Sequence, residues 1–99
     1  MHRLDVDEEK ACVIIYGHIT SENVSEVQVQ LNEIIARKMS LVLDLNHIQE
    51  IDRAGLFMLF IYKKKNSAKN KVVKILLDPS IFLNHFFPPE MQFKLINNE

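Results

Sequence analysis

The sequence predicts an α/β fold: a sandwich whose mixed, mostly parallel central sheet has helices packed on it. Three observations lead there. Apolar runs of strand length occupy residues 11–16, 41–46 and 72–77, each separated from the next by enough chain for a helix. One intervening segment repeats its apolar residues at helical spacing, and the other is a dense apolar stretch of helix length. Strands joined through helices pair in parallel, because the crossover returns the chain to the same end of the sheet.

Along the chain, residues 4–7 make a short edge strand, and Asp7-Glu8-Glu9-Lys10 is a charged hairpin turn into residues 11–16. That run is apolar throughout, which predicts a strand covered on both faces. Thr20 and Ser21 offer N-cap hydroxyls to a first helix, and Glu22 puts a carboxylate in its first turn. Val24, Val27, Leu31, Ile34 and Ile35 share one face of this helix, with Glu26, Gln30, Glu33 and Arg37 opposite, carrying it to about Lys38. Residues 41–46 form a second buried strand. After Gly55 the chain is apolar nearly all round through Tyr62, then turns to Lys63-Lys64-Lys65, as in a largely covered helix with cations at its C-terminal end. Residues 72–77 form a third apolar strand. Asp78-Pro79 opens a short helix over residues 80–85, with aspartate as cap and proline at the first helical position. Pro88-Pro89 interrupts the chain, and residues 92–96 close the sheet as an edge strand. The order is β-β-α-β-α-β-α-β.

Composition narrows the function classes. Residues 1–99 make one domain, and 47% hydrophobic with 25% charged residues is an ordinary globular balance. A net charge of −1 gives no overall field toward nucleic acid or a membrane surface. The single cysteine, Cys12, excludes an intramolecular disulfide and suits a reducing, cytoplasmic setting. The first ten residues hold no signal-peptide core, and no apolar stretch reaches the roughly 18–20 residues of a membrane span. The expectation is a cytoplasmic module that does not insert into membranes.

The densest functional signal is Ile48-Gln49-Glu50-Ile51-Asp52-Arg53-Ala54-Gly55-Leu56, which comes after the strand Leu41-Val42-Leu43-Asp44-Leu45-Asn46. It reads as a tight loop into a helix, where α/β scaffolds carry function. One of the two glycines sits here, pointing to a close backbone approach. Arg53 places a cation in a helix's first turn against the macrodipole, which costs about 0.3–1 kcal/mol when exposed. Broken local rules concentrate at functional sites. A strand ending Leu-Asp-Leu, followed by Ile-Asp-x-x-Gly-Leu opening a helix, resembles the STAS domain of anti-sigma factor antagonists. Val13-Ile14-Ile15-Tyr16-Gly17-His18-Ile19-Thr20 resembles that family's second strand, its glycine and the lead into its first helix. The resemblance runs from about residue 11 to about residue 87. Where switching members carry the serine or threonine that a partner kinase phosphorylates, this chain has Arg53, and Ala54 is next to it.

Other constellations have plainer readings. Asp44 and Asp52 could approach at the C-terminal edge of the sheet and hold Mg²⁺ or divide acid and base roles. No nucleophile or phosphate-cradling glycine loop accompanies them, so a loop-bonding Asp44 and a helix-capping Asp52 are favoured. His2, His18, His47 and His85 lack ligand spacing, which argues against zinc, and His47 reads as a surface loop residue. Lys63, Lys64, Lys65, Lys69, Lys71 and Lys74 read as a solvated helix end and loop. Nucleic-acid binding would want aromatic platforms beside them, and only Tyr62 is available. Cys12 reads as a small buried hydrophobe, and Phe57, Phe60, Phe82, Phe86 and Phe87 as core rather than a ligand box. The exception is Phe86-Phe87-Pro88-Pro89, the one aromatic group expected to be partly exposed, as a docking patch.

The resemblance implies a non-enzymatic protein-interaction module with neither cofactor nor metal. Its partner surface would comprise the first-helix entrance (Thr20, Ser21 and Asn23) and the turn Asp52, Arg53, Ala54 and Gly55. The implied partner is an anti-sigma factor that is also a serine kinase of the histidine-kinase-like ATPase fold. Phosphate brings about −2 charge to such a contact and breaks it. With Arg53 in that position no phosphoacceptor remains at the motif, leaving Thr20, Ser21 and Ser25 as hydroxyls near the first helix. Two alternatives stand beside this reading: an accessory subunit gripping the ATPase of an ABC-type phospholipid transporter, and a domain binding a nucleotide or lipid at the sheet's C-terminal edge.

Overall fold

The computed structural model describes residues 1–83 and 87–96. A hairpin begins the chain: β1 (His2–Asp7) runs antiparallel to β2 (Cys12–Ile19). Its charged turn is held by Asp7, whose Oδ1 accepts the Lys10 amide at 3.2 Å. Next come α1 (Val24–Ile35), β3 (Ser40–Asp44), β4 (Ile48–Ile51), α2 (Arg53–Ala68) and β5 (Val72–Leu76). A 3₁₀ turn over Pro79–Leu83 and a last helix, α3 (Pro89–Ile96), complete the described chain.

β2 is the hub of the five-stranded sheet. β1 takes one edge; the other is shared by β3, opposite Cys12, Val13 and Ile14, and by β4, opposite Gly17, His18 and Ile19. β5 lies beyond β3, and every pairing except β1–β2 is parallel. The expected mixed, mostly parallel sheet is therefore present. The kink that lets one strand serve two lies at Gly17, with φ +89, where a Cβ would collide with the Met1 carbonyl. Glycine alone accepts both conditions.

Burial is one-sided. Val13, Ile15 and Ile19 are buried, whereas Cys12, Ile14 and Tyr16, which alternate with them, are half-exposed. The inner face joins Leu41, Leu43, Leu45, Ile51, Val73 and Ile75 to Val27, Leu31 and Ile35 of α1 and Leu56, Met58, Leu59 and Tyr62 of α2. Each such aliphatic side chain, fully buried, contributes about 1.5–3 kcal/mol. The expectation of a strand covered on both faces is corrected. The outer face shields its own apolar residues instead: Tyr16 has the Arg3 guanidinium over its ring at 4.3 Å and the His47 ring stacked at 5.5 Å.

Helix ends also differ from expectation. Asn23 occupies the N-cap position of α1 without a side-chain bond to the helix, so Thr20 and Ser21 lie in the preceding turn, and Glu26 is the acid of the first turn. It stops at Ile35, short of Lys38, because the Lys71 ammonium reaches the Ile35 and Ala36 carbonyls at 2.9 and 3.2 Å. Residues 48–51, read as loop, form β4 because their backbone extends the half of β2 that β3 leaves unpaired. Asp78 does act as a cap, accepting the Ser80 amide at 2.9 Å, but the helix it opens is a single 3₁₀ turn through Leu83 and its expected end lies outside the described residues. Residues 92–96 are helical rather than an edge strand. Pro89 takes the first helical position and the Gln92 amide reaches the Pro88 carbonyl at 2.9 Å, a helix start that outweighs the short polar–apolar alternation after it. The exposed aromatic patch is likewise corrected: Phe87 is 2% exposed, edge-on to Phe57 at 4.9 Å and stacked on Phe82 at 5.8 Å, while Phe86 lies outside the described residues.

Candidate functional site

The Asp52 turn is built where β4 delivers the chain to α2. Asp52 is the N-cap of α2 in an extended conformation, and its Oδ1 accepts the Gly55 amide at 3.0 Å. Its second oxygen accepts the Ser21 amide at 2.9 Å. One carboxylate thus neutralises the positive end of α2 and ties that end to the loop before α1. The Asp52 amide in turn donates to the Ile19 carbonyl at 3.3 Å, so the turn is pinned to the end of β2.

Gly55 explains why the two segments approach so closely. It is the third residue of α2 and buried, and a Cβ there would collide with the Ile19 carbonyl and lie 2.8 Å from Ile51 Cγ1. Its φ is not in the left-handed region; close approach alone requires the glycine. The helix begins two residues before it, with Asp52 as its cap and Arg53 in its first turn, as the sequence suggests.

The loop before α1 is equally ordered. Thr20 is 6% exposed, its Oγ1 accepts the Glu22 amide at 3.3 Å, and its carbonyl accepts the Asn23 and Val24 amides. Asn23, 9% exposed, turns its side chain backward: Oδ1 accepts the Thr20 amide at 2.9 Å and Nδ2 donates to the His18 carbonyl at 2.9 Å. The same Nδ2 lies 3.0 Å from His2 Nδ1, and His2 Nε2 lies 2.7 Å from Gln30 Oε1. This Asn23–His2–Gln30 chain had no signature in the sequence, since its members are far apart and individually ordinary.

Of the seven residues expected at the surface, Thr20, Asn23 and Gly55 are buried and act by positioning. Ser21 and Arg53 are exposed, with Asp52 and Ala54 half-exposed beside them. Ser21 and Asp52 are in direct contact, so the structure brings both predicted segments onto one rim. Arg53 is the first residue of α2 and lies back along the helix, its guanidinium 5.8 Å from the Phe57 ring centroid. That placement moves the cation away from the helix end it would oppose.

The other candidates fall apart spatially or chemically. Asp44 accepts the Asn46 amide at 3.0 Å, a loop role. Among the described residues no three His, Cys, Asp or Glu side chains converge as metal ligands would. In the basic run, Lys63 donates to the Leu95 carbonyl at 3.1 Å, with burial lowering its pKa, and Lys71 caps α1. Cys12 is half-exposed, and burial, with Asp44 and Asp7 nearby, raises its thiol pKa. A cavity of about 440 Å³ at the C-terminal end of β5, lined in part by Asn46, Leu77, Asp78 and Ile96, contains none of the seven residues. No described helix is long and apolar enough to cross a membrane.

The fold has solved counterparts. The anti-sigma factor antagonist SpoIIAA in its unphosphorylated form matches with a TM-score of 0.63 and 12% identity over 91% of each chain. A structure of Mglu matches with a TM-score of 0.62 and 20% identity over 75% of this chain, which spans 19% of the Mglu chain. No family model and no curated protein matches the sequence. The architecture is that of the STAS fold of SpoIIAA.

Proposed function

We propose that this chain is a non-enzymatic protein-interaction module that docks its partner on the rim formed by Ser21, Asp52, Arg53 and Ala54, in the manner of an anti-sigma factor antagonist. The observation that carries the reading is Asp52, whose two oxygens join the Ser21 and Gly55 amides and so hold both segments as one surface. A carboxylate with both oxygens committed to backbone donors suits a scaffold role better than a proton-transfer one. The fold shared with SpoIIAA supports the same class of function.

The partner is an anti-sigma factor of the serine-kinase type, and Arg53 meets one of its carboxylates in a paired, charge-assisted contact. Neither Arg53 nor Ala54 carries a hydroxyl, so the turn itself is not a phosphorylation switch. Thr20 is buried with its hydroxyl accepting a backbone amide, which leaves Ser21 and Ser25 as the exposed hydroxyls of that region. Calorimetric titration against the serine-kinase anti-sigma factors of the same genome tests the reading. Arg53→Ala should weaken the complex by about 2 kcal/mol or more while leaving the melting temperature nearly unchanged. Unchanged affinity places the turn outside the interface, and a partner that proves to be a transporter ATPase replaces the anti-sigma factor.

A further inference from the structure

The sheet stops at β1, and among the described residues no strand pairs with its outer edge. The direction of its backbone groups is fixed by one contact. The His18 amide donates to the Met1 carbonyl at 3.3 Å, and the register runs unbroken from His2 opposite Gly17 to Asp7 opposite Cys12. Antiparallel pairs alternate between bonded and non-bonded. Arg3, Asp5 and Asp7 therefore aim their backbone groups at β2, and His2, Leu4 and Val6 aim theirs outward.

The side chains of this edge complement themselves. Arg3 and Asp5 are exposed on the outer face of the sheet, with side-chain exposures of 66% and 51%, and pair with each other along the strand at 3.3 Å. Leu4, on the other face, packs against the core, and Val6 beside it is 39% exposed. We propose that β1 is a self-association edge, at which a second copy of this chain adds its own β1 antiparallel about a two-fold axis through Leu4.

In that register Leu4 faces Leu4, His2 faces Val6, and every outward N–H and C=O of these residues finds a partner. Arg3 faces Asp5 of the second copy in a non-bonded pair, where side chains approach more closely. A shift of two residues one way sets Arg3 against Arg3 and shortens the overlap; the other way keeps the overlap and pairs Arg3 with Asp7 but sets Asp5 against Asp5, so only the register through Leu4 opposes no like charges. Arg3 is already held over the Tyr16 ring at 4.3 Å and beside Asp5 of its own strand at 3.3 Å, which reduces the ordering cost, and in the dimer each Asp5 is shared between the arginines of both strands. Exposed charges commonly guard an edge strand against pairing. Here Arg3 is followed by Asp5 and Asp7 on one face, and of the registers within two residues only the one through Leu4 opposes no like charges. β1 and the β4 that carries the Asp52 turn lie on opposite edges of β2, so this surface stands apart from the partner rim.

Sedimentation equilibrium of the whole chain from about 10 μM to about 1 mM covers the range of a small strand-edge interface. The wild type should show a concentration-dependent dimer. Asp5→Arg should weaken it at least about tenfold, and the double variant Arg3→Asp with Asp5→Arg should restore it. With rising concentration, amide exchange should slow at His2, Leu4 and Val6 but not at Arg3 and Asp5, which are already bonded to β2. A monomer throughout, a dimer indifferent to Asp5→Arg, or slowing confined to other elements overturns the proposal. So does capture of an extended segment from a different protein without self-association.

Discussion

Gly55 shows how much one residue can decide. Its Cα lies against the Ile19 carbonyl and the Ile51 side chain, and that closeness lets Asp52 reach both α2 and Ser21. Gly55→Val is expected to lower unfolding free energy by about 3 kcal/mol or to prevent folding, read from urea denaturation with circular dichroism. An unchanged midpoint would mean the helix shifts freely. The glycine and its aspartate stand out in the sequence because a glycine in a helix's first turn is locally unfavourable. The partnership of Asp52 with Ser21 does not, since it spans the space between two elements and leaves no periodic trace.

Elements were legible where their own sequence dominates and misread where a distant group ends or redirects them. The apolar face of α1 is plain from its spacing, but its end is set by Lys71, a residue of the loop before β5. The lysine cluster looks like a solvated face, yet this member satisfies two helix-end carbonyls. Lys71→Met, which keeps the stem and removes the charge, should cost about 1 kcal/mol of stability and increase exchange at the end of α1. Urea titration and amide exchange check both parts. In α3, the proline and first-turn acid were the better guide than the alternation that suggested a strand.

At the scale of the whole molecule, Tyr62 joins the two large helices over the sheet. It is 2% exposed, and its hydroxyl donates to the Leu31 carbonyl at 2.7 Å. Burial pushes the phenol above its ordinary value of 10.0, so the native state holds this proton where the unfolded chain releases it. The resulting stability is complete below pH 10.0 and is lost as pH rises from there toward the raised native value. Tyr62→Phe should cost about 1 kcal/mol at neutral pH through the lost hydrogen bond. It should also make the alkaline decline shallower than in the wild type, as measured by urea melts from neutral to alkaline pH.

The mixed α/β class, the positions of the three main strands and two main helices, and the interest of the Asp52–Gly55 turn were all legible in the residues alone. Those features rest on local chemistry: hydrophobic period, cap residues and the few positions where only glycine fits. Only the folded chain shows that the helices cover one face, that residues 48–51 form β4 beside the free half of β2, and that α1 starts after Asn23 rather than after Thr20 or Ser21. It also shows which of the seven candidate residues reach the surface. Each of these depends on which groups become neighbours after the chain folds back. A carboxylate or an amide has the same local signature whether it faces solvent or a buried backbone donor.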